Sequence, residues 1–209
     1  MEATKTDAQK SLEEIDDIAQ RTKQAVAYAG TDTALITWGV VWFLGYLGSQ
    51  FIPMLILRFN PDMASKIGVV ISVYWAILLA AGIMGTVRIK FPVESKVGKR
   101  IGMIWPILYA YIYLLGYLVA PFIKLQSFDE SMHFWAHMVA ISAIVPMLAY
   151  VIMGLWLDSF LMWIGLAVTV LTMLGLLLFP SYINIWMALV GGGTLISAGL
   201  FVRGKWRQK

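Results

Sequence analysis

The chain contains no cysteine. Disulfides, thiolate metal sites, cysteine nucleophiles and iron–sulfur clusters are therefore excluded. Charge is nearly as scarce: Asp, Glu, Lys and Arg make up 13% of the 209 residues, where a soluble domain carries about 25% because a water-facing surface needs them. Histidine occurs only at His133 and His137. A phosphate-binding glycine loop, an HExxH pair and a Gly-x-Ser-x-Gly elbow are all missing. No carboxylate lies inside an apolar run, so the pair of intramembrane carboxylates that proton-coupled chemistry uses is missing too. These gaps lead to the expectation of a protein that is not an enzyme and uses no cofactor.

What is present is apolar. Hydrophobic residues make up 60% of the chain, with twelve Met, nine Trp, nine Tyr and ten Phe, and the mean hydropathy is +0.76. Six runs stand out: Thr33–Leu55, Ile67–Val87, Ile101–Ile123, His133–Trp156, Ser159–Phe179 and Tyr182–Val202. Each supplies the roughly 20 apolar residues that cross a ~30 Å hydrocarbon core at about 1.5 Å per residue. Every Asp, Glu, Lys and Arg falls outside them, as expected where a charge at mid-bilayer costs several kcal/mol. There is no sustained period-2 alternation of the kind a membrane barrel needs, and only helices satisfy their own backbone in lipid. The expected fold is an all-α integral membrane protein. Residues 33–202 form six transmembrane helices in three antiparallel hairpins, between a tail at 1–32 and a basic tail at 203–209. Leu157-Asp158-Ser159 and Pro180-Ser181 are short enough to force antiparallel neighbours, and Asp158 reads as an N-cap rather than a proton carrier.

Lys and Arg set the orientation. Thirteen lie before the first run, between the second and third, or after the last: Lys5, Lys10, Arg21, Lys23, Arg88, Lys90, Lys96, Lys99, Arg100, Arg203, Lys205, Arg207 and Lys209. Only Arg58, Lys66 and Lys124 lie on the other side. Both termini are expected in the cytoplasm, with the plasma (inner) membrane as the location in a bacterium. The net charge of +4 is then a topology signal and a contact with anionic lipid, not a nucleic-acid surface. Residues 1–32 are polar, so the first run is expected to act as its own insertion signal. Trp206, Trp38, Trp135 and Trp156 near run ends fit interfacial anchoring.

Two of the hairpins resemble each other in sequence. Leu44-Gly45-Tyr46-Leu47 matches Leu115-Gly116-Tyr117-Leu118, and Phe51-Ile52 matches Phe122-Ile123 in the same register. Ile71-Ser72 and Ile83-Met84-Gly85 answer Ile141-Ser142 and Ile152-Met153-Gly154. A parallel tandem repeat is expected, in which Leu44 lands on Leu115 and Ile83 near Ile152. The third hairpin echoes the pattern more faintly, through Leu174-Gly175 and Pro180.

The N-terminal tail is expected to hold a short cytoplasmic amphipathic helix at about residues 11–28. Ser11 and Glu14 fit a capping box. Leu12, Ile15, Ala19, Thr22 and Val26 step by three and four into one stripe. Too short to be stable alone, it is expected to dock on the chain's own cytoplasmic loops or on a partner, either another protein or a second copy.

Small residues at four-residue spacing, Gly45 with Ser49, Ala81 with Gly85, Ala188 with Gly192 and Gly193 with Ser197, are expected at helix contacts. The Gly191-Gly192-Gly193 run reads as a packing face or as a break around a ligand, and Pro106 and Pro146 as kinks. Three groups are candidate sites. Trp105, Tyr109, Tyr113 and Tyr117, with Gln50, could wall a pocket for an apolar or cationic ligand; the plainer alternative is hydroxyls at helix contacts. Glu130, His133 and His137 have the three-then-four spacing that could hold a divalent metal or a pH-sensitive contact; the alternative is interfacial histidines with capping carboxylates. Leu12, Ile15, Ala19 and Val26 would dock the N-terminal helix on a partner. Besides the lipid bilayer, such a partner makes a regulatory or accessory subunit the first functional expectation. A small transporter or channel for a neutral or apolar solute is the alternative.

Overall fold

The computed structural model describes residues 9–18, 30–87, 104, 107–112, 114–115, 128–156 and 159–207. Among them there is no strand. Five helices are long and apolar enough to cross a membrane, which makes this a multi-pass, all-helical membrane protein. The sixth apolar run, Ile101–Ile123, lies largely outside the described residues.

The first span, α1 (Thr31–Phe59), follows Gly30, whose φ of 77° turns the chain into the helix. At 29 residues it is about 44 Å long, more than the hydrocarbon core requires. Asp32 in its first turn and Arg58 in its last complement the helix dipole. A 3-10 turn (Pro61–Lys66) leads into α2 (Ile67–Val87). Then come α3 (Phe128–Trp156) and α4 (Ser159–Leu178). After the 3-10 turn Pro180–Tyr182, the last span is built from α5 (Ile183–Trp186), a π-helical stretch (Met187–Gly192) and α6 (Gly193–Arg207).

Glycine fixes the pairings, because two helices in lipid gain from close approach rather than from expelling water. α2 runs antiparallel to α1, with Gly82 against Val41 and Trp38 and Gly85 against Thr37. The last span runs antiparallel along another side of α1. There Gly39 and Gly192 sit backbone to backbone: a Cβ on either would come within 2.9 Å of the other's carbonyl oxygen. Gly199 faces Ile36 in the same way. α3 and α4 form a hairpin closed by Gly154 against Met162 and by Gly165 against the Met147 carbonyl. α4 joins the last span where Gly175 receives the indole of Trp186. The core runs through these seams and includes Leu35, Trp42, Met147, Val168, Met187 and Leu195.

Hydroxyls inside the spans bond back to their own helix. Ser49 donates to the Gly45 carbonyl, Thr169 to that of Gly165 and Thr172 to that of Val168. Such back-bonding satisfies a polar group where lipid offers no partner.

Several expectations are corrected by this packing. Gly45, Ser49, Ala188 and Gly192 do lie at helix contacts, but Ala81 is exposed and Gly82 takes its place. Gly193 meets no heavy atom within 4 Å of a built Cβ, and Ser197 is exposed. Their spacing marks a face turned away from the bundle. Trp38 is buried in the core instead of anchoring an interface, while Trp135 and Trp156 are exposed.

The repeat positions Leu44, Leu115, Ile83 and Ile152 are all exposed. The matched glycines differ in partner, however: Gly85 packs on the preceding span and Gly154 on the following one.

Candidate functional site

The aromatic line on α1 is the densest group of chemistry-bearing side chains. Trp38, Trp42 and Tyr46 follow at four-residue spacing, and all three are buried. Tyr109, from the third apolar run, lies against them. Its ring stacks on Trp38 with centroids 6.0 Å apart and 18° between planes, and its hydroxyl accepts a hydrogen bond from Trp42 Nε1 at 3.2 Å. Tyr150 of α3 is buried in the same core, against which Tyr109 packs.

Beyond Tyr46 stands Trp75, edge to face at 5.2 Å. Its indole N–H donates to Ser49 Oγ at 2.9 Å. Gly45 makes room for it, since a Cβ there would strike the indole ring. Tyr74 donates to the Leu44 carbonyl at 2.6 Å from the same helix. On the last span Trp186 Nε1 donates to the Leu171 carbonyl of α4 at 2.8 Å. Each of these indoles spends its one donor on a neighbouring helix, so the aromatic side chains act here as a tight interhelical layer.

Gln50 lies near one end of this layer. Gln50 and Asn184 both lie near the ends of their apolar runs. They meet each other: Asn184 Nδ2 donates to Gln50 Oε1 at 3.4 Å, a long hydrogen bond across the contact of α1 with the last span. Asn184 Oδ1 is buried with no hydrogen-bond partner among the described residues. An unmet acceptor in such a place costs about 1–3 kcal/mol. It is the point in the described bundle best prepared to accept a hydrogen bond from something else.

Of the expected pocket residues, Tyr109 packs against Trp38 and Trp42 and Gln50 meets Asn184, while Trp105, Tyr113 and Tyr117 lie outside the described residues. Of the expected metal set, Glu130, His133 and His137 share helix α3. His137 is exposed; the side chains of Glu130 and His133 lie outside those described. Among the described residues no three His, Asp or Glu side chains gather as a metal set. Residues 9–18 are helical, with Leu12 and Ile15 at 62% and 60% exposure. Ala19 and Val26 lie outside the described residues.

Three contacts escaped the sequence: Trp75 on Ser49, Trp186 on Leu171, and the ion pair of Arg203 with Asp32 at 2.9 Å. Only the last had a legible signal, namely opposite charges flanking the first and last apolar runs on the same side.

No protein-family model matches the chain, and no curated protein and no solved structure shows a significant match to it. The class is therefore set by the helices alone, and any activity has to be argued from the residues just described.

Proposed function

We propose that this membrane protein is a non-enzymatic regulatory or accessory subunit that binds a protein partner through its N-terminal helix. The observation that carries the proposal is the outward apolar pair Leu12 and Ile15, both about three-fifths exposed on helical residues 9–18. Apolar side chains on a short helix need a surface to cover them. The α1 aromatic layer supports the same reading, because its donors are committed to holding helices together.

In this reading both tails face the cytoplasm and the chain crosses the membrane six times. Antiparallel pairing leaves the end of α2 and the start of α3 on opposite faces, and Ile101–Ile123 is the apolar run between them that would make the crossing. A photocrosslinking residue at Leu12 or Ile15, in the full chain in its native membrane, tests the proposal. Crosslinks to one partner chain, lost on Leu12→Asp with Ile15→Asp, support it. Crosslinks only within the chain or to lipid sink it.

One observation favours a second reading, a small transporter or channel for a neutral solute: the unmet Asn184 Oδ1 beside Gln50, inside the bundle. Solute flux into proteoliposomes that falls on Asn184→Leu would favour it over the subunit.

A further inference from the structure

The last span and α4 touch along the π-helical stretch. Toward the start of α4 they are bridged by Phe160 and Phe201, whose ring centroids are 5.8 Å apart. Between them lies an open groove of about 660 Å³. It is lined by the small residues Gly193, Thr194 and Ser197 and by the apolar side chains of Leu189, Phe160 and Phe201. Its volume is that of a small-ligand site. Because it lies along membrane-crossing helices, it opens sideways into hydrocarbon. Gly193 has nothing within 4 Å of a built Cβ, so the space beside it is open.

We propose that this groove binds one acyl chain of an anionic phospholipid. Two observations select that occupant. Past Phe201 the same helix ends in Arg203, Lys205 and Arg207, with Lys209 following. Arg203 is held by Asp32; Lys205, Arg207 and Lys209 are the other juxtamembrane cations in the sequence at this end of the span, and such Lys and Arg attract anionic lipid. The Phe160–Phe201 bridge argues against a helix as the occupant. A helix about 10–12 Å across would have to part the two rings, whereas an alkyl chain can pass beneath them.

Gly193→Leu is a clean probe. A Cβ at this position meets open space on the groove side, and Leu is a better helix former than Gly. The full chain, purified in mild detergent, is exchanged with equal amounts of palmitoyl-oleoyl phosphatidylglycerol and phosphatidylcholine and examined by native mass spectrometry. The parent is expected to keep one phosphatidylglycerol per chain. Gly193→Leu should lower that retention at least tenfold with an unchanged Tm in detergent alone, and Ser197→Leu provides a second filled groove. Lys205→Gln with Arg207→Gln should keep a bound lipid but lose the preference for phosphatidylglycerol. Equal retention by parent and both filled variants, or equal retention of the two lipids by the parent, overturns the proposal. So does a parent dimer that Gly193→Leu turns into a monomer, which would assign the groove to a second copy of the chain.

Discussion

Arg203 Nε lies 2.9 Å from Asp32 Oδ2, and Arg203 Nη2 reaches the Thr33 hydroxyl at 3.5 Å. The first turn of α1 and the penultimate turn of the last span are thus fastened together although 171 residues separate them. From there the two helices descend in one antiparallel register, through Ile36 and Gly199, Gly39 and Ile196, and Trp42 and Gly191, to Gln50 and Asn184.

A chain whose first span begins and whose last span ends on one face crosses the membrane an even number of times. Reporter fusions at the two termini are therefore expected to report the same side, and the positive-inside asymmetry predicts that side to be the cytoplasm. Termini on opposite faces would remove a crossing and contradict the fastening of Asp32 to Arg203.

Both partners of that ion pair are partly exposed, at 39% and 24%, so its worth is modest. Arg203→Ala is expected to cost about 1 kcal/mol in unfolding free energy, and less at high salt. Exchanging the charges, Asp32→Arg with Arg203→Asp, should recover only part of the loss, because Arg in the first turn opposes the helix dipole. Full additivity of the single and double variants would show that the two residues do not interact.

Neighbouring glycines should respond in opposite ways. A Cβ on Gly192 meets the Phe43 backbone nitrogen at 2.8 Å and the Gly39 carbonyl at 2.9 Å. Gly192→Leu therefore has to push two backbones apart and is expected to cost about 3 kcal/mol or more. Gly193→Leu should be neutral. Thermal unfolding of both variants in one detergent settles the comparison, and equal Tm values would refute the close approach of α1 to the last span.

Trp75 separates packing from hydrogen bonding. Trp75→Phe keeps most of the ring beside Tyr46 and loses the bond to Ser49, at an expected cost of about 1 kcal/mol. Trp75→Ala empties the space facing Gly45 and should cost about 3–5 kcal/mol. Similar losses in the two variants would place the whole contribution in the hydrogen bond.

The crossing helices were legible in the sequence because a mid-membrane charge is costly, so the boundaries of the apolar runs are written in Arg58, Lys66, Asp158 and Arg203. What those helices touch was less legible. The spacing of Gly193 and Ser197 looks the same as that of Gly45 and Ser49, yet one pair faces outward and the other holds Trp75. Small-residue spacing marks where a backbone can be approached without saying whether anything approaches. The same holds for polar groups: nothing local to Gln50 or Asn184 reveals that two helices bring them together.

The π-helical stretch Met187–Gly192 has a consequence for how this protein tolerates changes in length. A turn closed by bonds from i to i+5 holds one residue more than an α-turn. Removing a single residue there would tighten the wide turn and leave Trp186 on Leu171 and Gly199 on Ile36, the faces they already occupy. The same deletion anywhere else in the span would rotate everything beyond it by about 100°, carrying Arg203 away from Asp32. The last span thus contains a built-in slack residue, and single-residue deletions scanned along it should be survivable in that one window.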